Sequence, residues 1–233
     1  MNQPSKNNLA LACIVPFAIY LAGSAWLAKL STQWYSFAYG LVATVSALSV
    51  WYLLDRDSRR QLIAPHIRVM PGIAVGLLGI ALWIWLSHLH VEQVLATYLP
   101  AWMVPADRVG FNPFEQLDGK VAIIVFLVVR TIGIAIVVPI VEELFWRAFL
   151  LRWTIDPDWQ KISIGTYSAK SCLIVTLLFT LAHPEWLAAA TYCLLMNGLL
   201  YWKRDVWQTI VAHSISNLSL VVYVLMTDNW WLW

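Results

Sequence analysis

Val138-Pro139-Ile140-Val141-Glu142-Glu143-Leu144-Phe145-Trp146-Arg147-Ala148-Phe149-Leu150 puts two adjacent carboxylates and an arginine inside an otherwise apolar helical run. A charge at bilayer depth costs at least about 2.5 kcal/mol, so such residues mark function by default. Helical geometry sorts the three. Glu143 and Arg147 are four residues apart, share a face and can pair. Glu142 lies one residue back, roughly 100° around the helix, and is left to face something else. A structural ion pair accounts for Glu143 with Arg147 and leaves Glu142 unexplained.

Working outward, the chain is 61% hydrophobic and 12% charged. Soluble domains carry about a quarter charged residues, so this composition indicates a membrane protein. Seven apolar runs are long enough, or nearly so, to span a bilayer: 9–30, 34–54, 70–90, 121–138, 171–183, 186–202 and 206–226. The fifth is short and reads as partly re-entrant. The expected fold is all-α, a polytopic transmembrane helical bundle of about 7–8 spans, the eighth depending on the segment 91–119. Residues 1–120 form the N-terminal transmembrane helices and an external loop. Residues 121–233 form a core that carries the polar motifs, within one integral membrane unit. The first run has no Ala-x-Ala cleavage site and is followed by further spans, so it reads as an anchor and not as a removed signal.

Charge between the runs alternates. Lys6, Arg56, Arg59, Arg60, Arg68, Arg152, Lys161, Lys170, Lys203 and Arg204 fall on one side, and only Lys29, Arg108 and Lys120 on the other. By the positive-inside rule the N-terminus is cytoplasmic and the C-terminus external. Trp34, Trp51, Trp153, Trp186, Trp202, Trp207, Trp230, Trp231 and Trp233 lie at the ends of runs, as an aromatic belt requires. Cys13, Cys172 and Cys193 are single and apolar in setting, and read as small buried hydrophobes. No interleaved basic and aromatic surface speaks for nucleic acid as a partner.

Gly72-x-x-x-Gly76, with Gly79, lets a neighbouring helix approach closely. The arginine-rich loop 55–68 reads as a topology determinant. An interfacial helix is expected around 93–103, and a turn at Phe111-Asn112-Pro113-Phe114. Residues 121–153 as one helix are about 50 Å long, more than a hydrocarbon core of about 30 Å. Pro139 lacks an amide donor and is expected to kink that helix. Arg130 is a further charge in mid-membrane, too far along to pair with Glu143. Asp156-Pro157-Asp158 ends the unit as a turn.

Two later helices carry polar pairs at helical spacing: Phe179 with His183, and His213 with Asn217. Counted from the basic ends, Glu142 lies about 15 Å deep, His183 about 20 Å and His213 about 10 Å. Each taken alone has a plain reading as helix-to-helix packing. Together they share a range of depth where polar groups must face one another or a wet cavity.

Glu-Glu-x-x-x-Arg (Glu142, Glu143, Arg147), then Phe-x-x-x-His (Phe179, His183), then His-x-x-x-Asn (His213, Asn217), in that order on successive helices, resembles the CPBP family. That family comprises the type II CAAX prenyl endopeptidases (Rce1-like) and their bacterial Abi relatives. The resemblance covers about 121–226. The surroundings of Phe145-Trp146-Arg147 and the Trp-rich tail are also similar to the CAAX-protease-related branch associated with exosortase and PEP-CTERM systems. The resemblance implies an intramembrane endopeptidase of a bacterial cytoplasmic membrane, acting on a membrane-associated protein or peptide; a prenylated CAAX-type chain is the class its eukaryotic members take, and no residue here reads a prenyl group.

The residues suit that chemistry. Partial desolvation gives Glu142 the strength of a general base near neutrality, and with His183 it could hold and deprotonate a water. The oxyanion needs preorganised donors. His213 and Asn217, side by side, can supply them, and the resemblance implies that role. Glu143 with Arg147 would fix the helix and orient Glu142. No cofactor is needed on this reading. Zinc held by Glu142, His183 and His213 with a water is the alternative, although no His-Glu-x-x-His is present. A non-catalytic bacteriocin-immunity or scaffold protein, or a proton-coupled carrier, is the alternative of another class. A carrier would show corresponding broken helices in two halves, and only one break, at Pro139, is visible.

Overall fold

Backbone groups in hydrocarbon must be bonded within their own segment, and the apolar runs accordingly fold as helices. The computed structural model describes residues 6–100, 104 and 110–233. Its helices are α1 (Lys6–Leu27), α2 (Thr32–Leu53), α3 (Arg56–Leu62), α4 (Met70–Ser87), α5 (Val91–Ala96), α6 (Pro113–Gln116), α7 (Lys120–Trp153), α8 (Ala169–Leu181), α9 (Trp186–Lys203) and α10 (Val206–Thr227), with 3₁₀ turns at Trp159–Lys161 and Trp230–Leu232. No strand occurs among the described residues. The protein is an all-α bundle.

Five helices are long and apolar enough to cross a membrane: Leu9–Leu27, Trp34–Leu53, Met70–Ser87, Lys120–Trp153 and Val206–Thr227. The other two expected spans form as α8 and α9. At 13 residues, α8 rises only about 20 Å, so it turns back into α9 without crossing a full core. The turn is covered from outside by α5, where Glu92 Oε1 accepts the amide of Leu187 at 2.9 Å.

The long helix α7 is the axis of the bundle. Its first part shows Val121, Ile124, Val125, Val128 and Ile132 to the surroundings. From Val141 to Leu150 every residue except Phe145 is buried. A helix buried on all sides carries no amphipathic stripe, which is why this stretch is apolar all round apart from its three charges. On one side stands the α1–α2 hairpin, with Phe17 stacked on Phe145 at 4.1 Å and edge-on to Trp146 at 5.2 Å. On the other stand α4, α9 and α10, with α8 behind.

The glycines of α4 set the closest approach. A Cβ on Gly72 would lie 2.7 Å from the carbonyl oxygen of Gln208, and one on Gly76 would overlap that of Ala212. With no side chains there, Gly72 N donates to Gln208 Oε1 at 2.9 Å and Ser216 Oγ donates to Gly76 O at 2.8 Å. Gln208 Nε2 donates to Arg68 O. This seam fixes α10 one residue before His213.

Two expectations are corrected and one is filled in. Helix α7 continues through Pro139. The ladder widens to π geometry at Gly133–Val137, just ahead of it, and again at Leu144–Leu150. A wide turn upstream absorbs the missing amide, and the helix runs on. The arginine-rich loop is partly helical: Asp55 caps α3, accepting from Asp57 N at 2.9 Å, Ser58 N at 3.0 Å and Ser58 Oγ at 2.6 Å. The tail tryptophans are not a belt. Trp230 is 8% exposed, and Trp233 stacks on it at 5.5 Å and faces the interior. Trp34, Trp51, Trp153 and Trp202 do stand exposed at helix ends, as do Trp26 and Trp85.

The expected interfacial helix is present only as α5, and residues 101–103 lie outside the described residues, as do Pro105, Arg108 and the tail 1–5. Phe111 stacks on Tyr35 at 4.6 Å, and Asn112 Oδ1 caps α6 by accepting Phe114 N at 3.1 Å. Asp156 Oδ1 accepts Asp158 N at 2.7 Å, closing the expected turn.

Gly76→Val should part α4 from α10, lowering the melting temperature in detergent and removing whatever activity depends on His213. An unshifted melt would show that the seam does not carry the packing. The hydrogen bonds to Asp55, first from the Ser58 hydroxyl, hold its carboxyl below the usual range. The cap therefore contributes above that range and is lost as pH falls through the lowered value. Asp55→Ala should speed amide exchange in α3 by roughly fivefold, for a cap worth about 1 kcal/mol, with the difference from wild type closing in acid.

Candidate active site

The charges inside the bundle meet at Glu143. Its Oε1 accepts from Arg147 Nη1 at 3.1 Å, one turn along α7, and from His213 Nδ1 at 2.9 Å across on α10. The Glu143 and Arg147 side chains are 0% exposed and His213 8%. One carboxylate thus bonds two helices. The i,i+4 pairing follows from spacing, whereas the second bond depends on α10 lying where the α4 glycines allow. Arg147 also donates from Nη2 to Cys193 Sγ at 3.6 Å.

Phe179 sits between two of these groups. Its ring lies 5.1 Å from the Arg147 guanidinium and 4.3 Å from the His183 imidazole, stacked at 24°. Trp146 meets it edge-on at 5.4 Å. The phenylalanine in the Phe-x-x-x-His spacing is therefore a spacer that holds a cation on one neighbour and an imidazole on the other.

His183 follows the end of α8, with Nδ1 2.8 Å from Phe179 O. A carbonyl only accepts, so Nδ1 carries a proton and, when the ring is neutral, the basic nitrogen is Nε2. Trp83 of α4 meets the ring edge-on at 5.7 Å. By the same logic, His213 donates from Nδ1 to the Glu143 carboxylate and is basic at Nε2. It donates from Nε2 only as imidazolium, with Glu143 as counter-ion.

Asn217 does not stand beside His213 with idle donors. Its Nδ2 donates to Ile134 O at 2.7 Å. Ile134 lies in the π segment of α7, where the widened ladder leaves carbonyl capacity unused, and Asn217 supplies that donor. One of its two N–H bonds is thereby committed and one remains.

Glu142 is 7% exposed, and its Oε2 is buried with no hydrogen-bond partner among the described residues. An unsatisfied buried acceptor costs about 1–3 kcal/mol. Glu142, His183, His213 and Asn217 border one cavity of about 160 Å³, with Tyr192 and Arg130 also on its wall. Glu142 and His183 also line an adjoining space of about 470 Å³ that opens between α1, α2 and α7. Glu143 and Arg147 lie behind the wall.

Sequence reading did not single out Trp83 and Tyr192. Tyr192 faces His213 edge-on at 5.8 Å and Trp83 at 5.7 Å, and donates to Ser216 Oγ at 3.0 Å. Both sit in apolar runs where aromatics are common, so no local signal marks them. Among the described residues no three His, Cys, Asp or Glu side chains are grouped as metal ligands.

Residues 124–219 match a family model described as type II CAAX prenyl endopeptidase, Rce1-like. The matched stretch contains Glu142, Glu143, Arg147, Phe179, His183, His213 and Asn217. No curated protein and no solved structure matches the chain. The match supports an intramembrane endopeptidase in general, an integral membrane protein acting on a protein or peptide.

Arg147→Ala strands Glu143 in an apolar interior. Breaking a buried pair costs about 3–5 kcal/mol, so its melting temperature should fall sharply, with Arg147→Lys recovering part of the loss. An unchanged melt for Arg147→Ala would show that the pair does not brace the site.

Proposed function

We propose, from the premise of that family match, that the chain is a glutamate-dependent intramembrane endopeptidase. Glu142 and His183 activate a water at the cavity wall. The observation that carries this reading is the unpartnered Oε2 of Glu142 on a cavity it shares with two imidazoles and an amide. A bound water would satisfy that oxygen and stand within reach of the His183 ring.

In the reaction, Glu142 takes one proton of the water while its oxygen attacks the peptide carbonyl. The new C–O bond places negative charge on the former carbonyl oxygen. The remaining N–H of Asn217 and the Nε2–H of protonated His213 answer that charge, and losing one such donor typically costs about 3–4 kcal/mol. The C–N bond then breaks, and the proton held by Glu142 passes to the leaving nitrogen. Glu143 keeps His213 in the orientation this requires, and Arg147 holds Glu143 in place. No step in this scheme uses a metal.

The adjoining space between α1, α2 and α7 suits entry of an extended, membrane-associated substrate, with a prenylated CAAX-type protein as the class the family points to. Placing the N-terminus and the basic loops in the cytoplasm of a bacterial cell brings the chain's polar residues within reach of a substrate held at the inner face.

Glu142→Gln and His183→Ala should each lower cleavage of membrane peptides at least about a hundredfold, with melting temperatures near wild type. Substrates should accumulate uncut in cells carrying Glu142→Gln. A Glu142→Gln protein that still cleaves would rule out the base, and a wild-type protein that binds membrane peptides without cutting any would favour the scaffold class.

A further inference from the structure

The bundle holds a second arginine that the proposed reaction does not use. Arg130 lies in α7 and is partly buried. Its guanidinium stands 4.4 Å over the ring of Tyr39 and 5.9 Å from that of Trp233. It borders both the 160 Å³ cavity and the adjoining space of about 470 Å³, as Glu142 and His183 do. The contrast with Arg147 is direct. Arg147 has Glu143 at 3.1 Å, whereas no carboxylate among the described residues lies within ion-pair distance of Arg130.

Aromatic faces hold a guanidinium in place but leave its charge uncancelled. The planar N–H fork matches a carboxylate with two parallel bonds. A cation on the wall of a cavity within an apolar bundle is therefore set to draw in an anion, and the cavity it borders contains the candidate general base.

We propose that Arg130 is a substrate-binding residue that holds a carboxylate carried by the peptide. The inference rests on the peptidase reading and adds a specificity to it. The carboxylate is either the C-terminus of the peptide or an acidic side chain close to the cut. Helix geometry bounds the spacing. Arg130 and Glu142 are 12 residues apart, about 18 Å of rise, and an extended chain covers about 3.3 Å per residue. An extended peptide bridging that distance thus carries its carboxylate about five residues from the attacked carbonyl.

The test uses Glu142→Gln protein in phosphatidylcholine nanodiscs and captures a library of short random apolar peptides made in three forms. One form ends in a free carboxylate, one in a carboxamide, and one in a carboxamide with a single glutamate near the end. The free acid or the glutamate form should be retained roughly ten- to a hundredfold over the plain amide, and which of them wins identifies the source. Adding Arg130→Gln should abolish the preference, and Arg130→Lys should keep part of it, with melting temperatures recorded for each. Equal retention of all three forms overturns the proposal with Arg130 intact, and so does a preference that survives Arg130→Gln. Capture does not require cleavage. If wild type cuts nothing while acids are still captured, the peptidase reading fails and the anion site stands. If wild type cuts peptides and none of the three forms is preferred, the reverse holds.

Discussion

One carboxylate organises this protein. Glu143 has no exposure to solvent, bonds a guanidinium on its own helix and bonds an imidazole on another. In the interior of a membrane protein an ion pair of this kind survives only if its hydrogen-bonding geometry offsets the loss of hydration. The offset requires α7 and α10 to be held in register, and the rest of the bundle supplies the register. The α4 glycines admit α10, and Phe17 of α1 stacks against the α7 turn that carries Arg147. Phe179 separates the Arg147 guanidinium from the His183 imidazole.

This scaffold leaves Glu142 exposed to a different fate from its neighbour. Adjacent residues on a helix face different directions, so one glutamate can be structural and the next can face a cavity. Each has a buried Oε2 without a partner among the described residues, but Glu143 accepts two bonds at Oε1 behind the wall, whereas Glu142 borders the cavity. Two identical side chains one residue apart therefore divide stability and chemistry between them. The same division applies to the arginines, with Arg147 paired to Glu143 and Arg130 placed against the rings of Tyr39 and Trp233 with no carboxylate among the described residues within ion-pair distance.

Much of this was legible in the sequence, for physical reasons that also mark where legibility stops. Composition and run length gave the helical membrane class, and the i,i+4 rule gave the Glu143–Arg147 pair. Spacing alone could not give the partner of Asn217. It shares a face with His213, but its bond goes to Ile134 O, which is available because α7 widens at Gly133–Val137. No period in the sequence announces a π turn. The tail tryptophans show a second limit: an indole suits a membrane interface and a buried lid equally, and only the three-dimensional path of the chain after α10 decides. Trp83 and Tyr192 were invisible because their importance comes from which rings they touch.

A double-mutant cycle between Glu143→Gln and His213→Gln, read as unfolding free energy in bicelles, tests the central claim most directly. If one carboxylate ties α7 to α10, each single variant is strongly destabilised and the pair is less destabilised than the sum, with a coupling of about 1–3 kcal/mol. Additivity within about 0.5 kcal/mol would mean that the two helices are held by packing alone and that Glu143 does not organise the site.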